Sequence, residues 1–385
     1  MLLRLLIVST LDSSQPFGAF TRPFYLGMYL NQHFEVYQLG LNCASVDYAQ
    51  SISVGSRSLR SYVQAVEKCI KQFCPDLVYA QETLPGLAAL IVSRAQNQEK
   101  FHLAFDFHTL SAFEYWTRLP YASNQIKEFT QFVKTYFAQG SLILANRPII
   151  AASQSITELI PKWYHTKPRR IYSVGNGVPE DFLETTSSLF PDPYEKFRPA
   201  KIVVVVAPKT FSFPTNDMSV SMTIEVARYL ESHREEIHFV VIGRQADEMA
   251  QPLPSNITFV GFLPERSDFL AHLKYANLGL LPFPKQAVAG GARNKALDYF
   301  ACNKLVVSTP EGLRGLEKFR HLQHLLVTED SVEDVAKTVL EACINLNHYQ
   351  PLAEAAYTLI RDDYSWSAMA EQVANILKNE VQSQL

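Results

Sequence analysis

The chain has 385 residues, of which 47% are hydrophobic and 19% charged, and its formal net charge at pH 7 is −3. This length exceeds one ordinary hydrophobic core, so we expect two domains. The small net charge excludes a general attraction to nucleic acid or to an anionic membrane, and no apolar run has the length of a membrane span. Five cysteines without C-x-x-C spacing predict neither a disulfide framework nor a zinc site and favour a cytoplasmic location.

Short apolar runs alternate with helical patterns in the first half of the chain. The helical patterns include Leu59–Phe73 and Ile126–Phe137. Alternation of this kind is typical of βαβ units with a parallel sheet. The candidate strands are Leu2–Ser9, Phe34–Gln38, Leu77–Ala80, Leu103–Asp106, Leu142–Ala145 and Ile171–Val174.

A second series of the same type follows a polar, proline-containing segment at 184–199, which is interpreted as a linker. The expected fold is therefore α/β, with two Rossmann-like, doubly wound domains that face each other across a cleft. Ligands of such folds bind at the carboxyl ends of the strands. The second-series strands are Ile202–Ala207, His238–Ile242, Ile257–Val260, Leu278–Leu281, Leu305–Ser308 and Leu325–Thr328.

The segment Ala287–Thr309 has the most informative chemistry. Gly290 and Gly291 come just before a predicted helix, which carries Arg293, Lys295 and Asp298. Free N–H groups and the dipole at such a helix start favour a phosphate, and basic side chains add charge for a diphosphate. The segment therefore predicts a nucleotide-sugar site, beside the alternative that the glycines only shape a tight connection.

Four blocks, in this order along the chain, resemble a known family. They are YSVGNGVPEDF at Tyr172–Phe182, NITFVGFLP at Asn256–Pro264 followed by LAHLKYANLGLLP at Leu270–Pro282, the segment Ala287–Thr309, and DYSWSAMA at Asp363–Ala370. Together they make the chain similar to GT-B-fold glycosyltransferases of family 4, the glycosyl transferases group 1. The resemblance covers roughly residues 170–385 and extends to the first half in architecture only.

The resemblance implies transfer of a sugar, with retention, from a nucleoside-diphosphate sugar to a hydroxyl acceptor. It implies no metal ion and no cofactor besides the donor substrate. Residues 1–183, completed by a C-terminal helix at about 364–385, would select the acceptor, and 200–363 would hold the donor. Cytoplasmic polysaccharide biosynthesis is the expected setting.

The chain departs from the family at two places. The usual pair of glutamates, eight positions apart, falls at Gly290 and Asp298, so the first carboxylate is absent. The usual basic block after the first strand of the second domain is replaced by Ala207–Asp217, where Lys209 is the one basic residue. These departures admit two alternatives: a sugar-nucleotide epimerase or hydrolase, and a non-catalytic sugar-nucleotide-binding subunit.

Site residues follow from the resemblance and from their positions after strands. The predicted catalytic residues are His108, which would contact the transferred sugar, and Asp106, which would orient His108. Arg22 and Glu82 are predicted to bind the acceptor. The predicted donor-binding residues are Gly290, Gly291, Arg293, Lys295, Asp298, Lys209, Arg244 and Gly18.

Two stretches bear on membranes. The basic and aromatic loop Pro161–Arg170 suits weak peripheral contact with a headgroup at the inner face of a membrane, although an ordinary solvated loop carries the same residues. A helical stripe of apolar residues is interpreted as core rather than as membrane-inserting. Its members are Ile126, Phe129, Phe132, Val133, Tyr136 and Phe137.

Overall fold

The computed structural model describes residues 2–14, 20–95, 101–166, 168–209 and 215–382. The chain forms two compact units. Unit 1 comprises Met1–Gly177, Gly290–Ala292 and Trp366–Leu385, and unit 2 comprises Val178–Ala289 and Arg293–Ser365. None of the described helices is long and apolar enough to cross a membrane.

Unit 1 is built on a seven-stranded sheet with the strand order β3-β2-β1-β4-β5-β6-β7. All neighbouring strands are parallel. The strands are β1 (Arg4–Val8), β2 (Glu35–Gly40), β3 (Gln50–Ser53), β4 (Leu77–Gln81), β5 (His102–Phe107), β6 (Ile149–Ala151) and β7 (Ile171–Ser173). The helices are α1 (Thr21–Leu30), α2 (Leu59–Phe73), α3 (Thr83–Ala95), α4 (Ser111–Arg118), α5 (Gln125–Ile143), α6 (Gln154–Tyr164) and, from the C-terminus, α13 (Trp366–Gln382).

Helices cover both faces of this sheet, so its central strands are apolar at nearly every position. Helices α2 and α3 pack on one face, and α1 and α13 pack on the other. Trp366 at the start of α13 stacks on Tyr25 of α1, with ring centroids 5.6 Å apart. The C-terminal helix is therefore part of the core of unit 1.

Two predictions for unit 1 are wrong. Residues Leu142–Ala145, predicted as a strand, end helix α5, and the strand is β6 instead. The apolar stripe of α5 is not uniformly core: the Ile126, Phe129 and Phe137 side chains are 83%, 49% and 69% exposed. The stripe was misread because apolar periodicity shows that a face is apolar, not that something covers it.

The loop predicted to contact headgroups is also tied into unit 1. Trp163 lies at the edge of the Phe113 ring, with centroids 5.4 Å apart, and Tyr164 stacks on Tyr136 at 4.8 Å. Arg170 donates to Glu380 over 2.7 Å. The aromatic residues of Pro161–Arg170 lie at the end of α6 and pack inward, whereas contact of the segment with a headgroup stays a prediction.

Unit 2 has a six-stranded parallel sheet with the order β10-β9-β8-β11-β12-β13. All six strands predicted for it are present. They are β8 (Lys201–Val206), β9 (Ile237–Ile242), β10 (Ile257–Gly261), β11 (Leu278–Leu281), β12 (Leu305–Ser308) and β13 (Leu326–Val327). The helices are α7 (Glu180–Glu184), α8 (Thr215–Tyr229), α9 (Arg266–Tyr275), α10 (Asn294–Ala301), α11 (Val332–Ile344) and α12 (Leu346–Asp363).

The segment predicted as a linker, 184–199, belongs to unit 2. Tyr194 is buried, and its hydroxyl donates to the His272 carbonyl over 3.0 Å. The Tyr275 hydroxyl donates to the Phe190 carbonyl over 2.8 Å. The Tyr194 hydroxyl and the Phe190 carbonyl therefore fix this segment against α9.

Candidate functional site

The loops that follow β8 and β9 meet at the carboxyl edge of the unit 2 sheet. Gly243 has a φ of +95°, and a Cβ atom there would lie 2.7 Å from the Cα atom of Pro208. This position needs glycine because of both its conformation and the close approach of the two loops. The approach brings together the side chains that follow each strand, where ligands of parallel α/β sheets bind.

Arg244 is held inside this edge by protein groups. Its Nε donates to the Ala207 carbonyl over 3.1 Å, and its guanidinium pairs with Asp217 and Glu248. Lys209 lies 2.8 Å from Glu248 but remains 59% exposed. The hydrogen bond from Lys209 lowers the pKa of the Glu248 carboxyl. Lys209 is thus open to a ligand, whereas the buried Arg244 connects the two loops through its contacts with Ala207, Asp217 and Glu248.

Lys295, in the first turn of α10, is held at the same edge. Its Nζ donates to Oδ1 of Asn216 in α8 over 2.8 Å, and Asn216 donates to the Pro208 carbonyl over 2.8 Å. Burial lowers the pKa of Lys295 to about 7, and the charges of Arg293 and Arg244 act in the same direction. Lys295, Arg293 and Arg244 repel one another when all three are charged, and a bound anion would relieve this repulsion.

Asp298 lies one turn further along α10. Burial raises the pKa of its carboxyl to about 7, against the opposing effect of Arg266 and Lys295. The helix therefore carries a lysine and an aspartate that both titrate near neutrality. Shifted pairs of this kind are concentrated at functional sites.

Arg293 is directed into the protein, which is a correction to its predicted contact with a diphosphate. It donates to the Glu311 and Ala287 carbonyls, with 3.0 Å to the former. Its guanidinium carbon lies 3.6 Å from the centroid of the Phe283 ring. Glu311 also accepts from the Ala289 amide over 3.1 Å. Arg293 and Glu311 thus fix the chain that leads into α10.

Gly290 and Gly291 belong to unit 1 and pack on its α4 segment. The Gly290 amide donates to Oε1 of Glu114 over 2.8 Å. A Cβ atom on Gly290 would lie 2.7 Å from Thr109 Oγ1, and one on Gly291 would lie 2.5 Å from the His108 carbonyl oxygen. The structure thus gives both glycines a packing role that excludes a side chain, and their contact with a phosphate stays a prediction.

In unit 1, Asp106 is the centre of a buried ion pair. Arg22 donates to it with Nε at 3.0 Å and Nη2 at 2.8 Å, and Tyr79 donates to it as well. Arg22 Nη1 donates to the Gly175 carbonyl over 2.7 Å and to Asn176 over 3.1 Å. Since Arg22 is 2% exposed, it is part of the core network, which corrects its prediction as an acceptor-binding group.

His108 lies between two carboxylates at the carboxyl ends of β4 and β5. Its Nδ1 is 3.0 Å from Glu82 Oε1, and its Nε2 is 3.3 Å from Asp106 Oδ1. Glu82 has a φ of +74°, a left-handed conformation that is unfavourable for glutamate. Strain of this kind persists where the surroundings hold a side chain in place, often at a functional site. The structure thus brings together the predicted residues His108, Asp106 and Glu82.

Three further residues belong to these clusters and were not predicted. Asn216 and Glu248 hold Lys295 and Lys209, and Tyr79 completes the Asp106 network. Asn216, near the start of α8, lies within the segment Ala207–Asp217 that departs from the family, whereas Glu248 and Tyr79 are identified only by their partners in the structure. Gly18, predicted to approach the donor, lies outside the described residues.

A family model and several solved structures are similar to this chain. Residues 203–345 match the model described as glycosyl transferases group 1. The match covers most of unit 2 and confirms the family resemblance predicted from the sequence. No curated protein matches the chain.

Solved structures match nearly the whole chain. Sucrose-phosphate synthase from Thermosynechococcus elongatus has a TM-score of 0.76 at 12% identity, covering 99% of this chain and 100% of that one. Anabaena HepE in complex with UDP has a TM-score of 0.75 at 15% identity, covering 98% and 100%. WaaG, a glycosyltransferase involved in lipopolysaccharide biosynthesis, has a TM-score of 0.69 at 15% identity, covering 97% and 99%. These likenesses confirm the predicted GT-B type of α/β fold.

Proposed function

We propose that the protein is a glycosyltransferase that moves a sugar from a nucleoside-diphosphate sugar to a hydroxyl acceptor. The observation that carries this proposal is the Lys295–Asn216 pair at the carboxyl edge of the unit 2 sheet, within the segment that matches the family model. Structures of Anabaena HepE with UDP and with UDP-glucose support a nucleotide sugar as the donor.

In this proposal, unit 2 holds the donor nucleotide. Lys295 and Lys209 neutralise charge that grows on the leaving diphosphate, and Asp298 accepts hydrogen bonds from the ribose hydroxyls. Arg244 and Arg293 keep these groups in place without contacting the nucleotide. Transfer proceeds with retention and without a metal ion, so the contribution of the protein is alignment and charge stabilisation.

Unit 1 is proposed to supply the groups that contact the transferred sugar and the acceptor. His108 is the polar contact for the sugar, and Asp106 and Glu82 fix the orientation of its ring. His108→Ala is expected to lower the turnover number and leave nucleotide affinity unchanged, because His108 is not assigned to the nucleotide. Glu82→Gln keeps the side-chain length and tests whether the charge next to His108 matters.

A thermal-shift screen tests whether the protein binds a nucleotide, on which the whole proposal depends. A ligand that binds the native state raises its melting temperature. We expect one of UDP, GDP, ADP, dTDP or CMP compounds to raise the melting temperature of the wild-type protein, and the same compound to have a smaller effect on Lys295→Met. If none of them shifts the wild-type protein, the proposal fails.

A non-catalytic sugar-nucleotide-binding subunit is a second candidate. The packing around Gly290 favours it, because no carboxylate side chain fits at the position where the family usually has its first glutamate. Tight nucleotide binding without transfer to any of a broad panel of acceptors supports this candidate. Sugar transfer in the presence of an acceptor rules it out, and donor turnover without an acceptor indicates a hydrolase or an epimerase.

A further inference from the structure

The outer face of α5 in unit 1 carries a line of exposed apolar side chains. Ile126 and Phe137 are 83% and 69% exposed, and they are separated by three turns, or about 16 Å. Phe129 lies between them and Leu144 follows at the C-cap, both also exposed. We call these four residues the α5 stripe. A continuous apolar surface of this kind marks an interaction site.

The face of α5 next to the stripe packs in a layer of aromatic rings, which Phe129 and Phe137 also contact through Phe132 at 5.9 Å and Tyr136 at 5.8 Å. Phe132 packs against Trp116, with centroids 5.1 Å apart, and against Trp163 at 6.3 Å. Tyr136 contacts both Trp163 and Tyr164. The stripe therefore cannot turn inward without replacing an established packing layer.

The charge beside the stripe is positive. Lys127 and Lys134 are both exposed and are seven residues apart, so they flank the stripe on the same side of the helix. Among the described residues, neither lysine has an ion-pair partner. Glu128, the acidic residue of α5, is instead paired with Arg118. An apolar line with unpaired lysines along one side matches the interface of an anionic bilayer.

We propose that the α5 stripe docks this protein on an anionic lipid surface, with the helix lying in the plane of the interface. The apolar side chains enter the boundary between headgroups and acyl chains, and the aliphatic parts of Lys127 and Lys134 let their ammonium groups reach the phosphates. The charges flanking the stripe favour this occupant over a second copy of the chain, because two copies would bring the same lysines together.

Co-flotation with vesicles tests the docking. The probes are vesicles of phosphatidylcholine and phosphatidylglycerol in a 3:1 ratio, and vesicles of phosphatidylcholine alone. We expect the wild-type protein to bind the anionic vesicles more strongly. Ile126→Ser/Phe137→Ser is expected to weaken binding at least about tenfold. Its control, Leu189→Ser/Ile344→Ser, removes two apolar side chains of unit 2 that are also largely exposed.

The charge contribution is tested in the same assay. Lys127→Glu/Lys134→Glu is expected to abolish the preference for anionic vesicles, whereas Lys68→Glu/Lys71→Glu on α2 is expected to retain it. All variants must melt within about 2 °C of the wild-type protein, since exposed positions carry little stability. The proposal is overturned if the wild-type protein stays with the unbound fraction, or if the stripe variant floats as well as its control. Sedimentation velocity that shows a dimer dependent on Phe137 would also overturn it.

Discussion

Lys295 and Asn216 are joined by a 2.8 Å hydrogen bond that links the first turns of α10 and α8. Both residues are the second of their helix, so this hydrogen bond joins the N-terminal turns of two helices. Both dipoles favour an anion at this point. Because Asn216 already accepts one proton of the ammonium group, the amine is held in position before a ligand arrives.

Replacing Lys295 tests this assignment. Lys295→Met is expected to lower the affinity for the nucleoside diphosphate by about 10- to 100-fold, since a charge-assisted hydrogen bond contributes about 1.5–3 kcal/mol. Isothermal titration calorimetry measures the change. The matched control is Lys337→Met, which removes an exposed lysine of α11 in the same unit. Equal affinities of Lys295→Met and Lys337→Met would rule out the role of Lys295.

Nucleotide binding is expected to take up a proton above neutral pH. In the protein without nucleotide, the pKa of Lys295 is about 7, so at pH 8 its amine is mostly neutral. A bound phosphate raises that pKa and favours the charged form. Affinity should therefore fall as the pH rises from about 7 to 9. Calorimetry at pH 8 in buffers of different ionisation enthalpy checks this. A wild-type enthalpy that does not depend on the buffer would contradict it.

Asp298→Asn is expected to weaken binding and to stabilise the protein. Burial raises the pKa of this carboxyl from 3.8 to about 7. The folded state therefore holds its proton more tightly than the unfolded state, and the carboxyl costs stability as the pH rises from about 4 to 7, with the full cost above 7. The variant should melt a few degrees higher than the wild-type protein at pH 8 and equally at pH 4.

The affinity of Asp298→Asn for the nucleotide should fall at least about tenfold, because ribose hydroxyls lose an ionised acceptor. Asp362→Asn, at an exposed position of α12, is the control for both readouts. A variant that binds as tightly as the control would refute ribose recognition by Asp298. A melting temperature that does not rise at pH 8 would show that burial of the Asp298 carboxylate does not lower the stability of the folded protein.

The Arg22–Asp106 pair is expected to stabilise unit 1 rather than bind an acceptor. Arg22→Ala leaves the Asp106 charge buried without its main partner, a change that typically costs about 3–5 kcal/mol. Urea unfolding measures the loss. Arg22→Lys should recover only part of it, because an ammonium group cannot reproduce the two parallel bonds of the guanidinium. Unchanged stability of Arg22→Ala, with a raised KM for the acceptor, would restore the original prediction.

Much of unit 2 was predictable because its strands are covered on both faces and are therefore apolar throughout, as in Ile202–Val206. The edge strand β3 was missed because Gln50–Ser53 is mostly polar and mostly exposed. Leu142–Ala145 was misassigned because a short apolar run fits either a strand or a buried helix end. Periodicity marked one face of the helix at Ile126–Phe137 as apolar, but which of its side chains a neighbour covers depends on tertiary packing.

The candidate site was predictable in its positions but not in its partners. Residues that follow buried strands, such as His108 and Lys209, could be placed at a sheet edge from the sequence alone. The sequence does not show that Arg22 finds Asp106 over 84 residues, or that Arg293 finds Glu311. Arg22, Arg244 and Arg293, predicted to face ligands, are instead buried and paired with protein carboxylates, whereas Lys209 remains exposed.

A crystal structure of the full chain with the nucleoside diphosphate that stabilises it most tests the central claim directly. Phosphate oxygens are expected within about 3.2 Å of Lys295 Nζ, and ribose hydroxyls within hydrogen-bond distance of the Asp298 carboxylate. Arg293 should keep its bonds to Glu311 and Ala287. A nucleotide bound away from the first turn of α10, with Lys295 still held only by Asn216, would contradict the account.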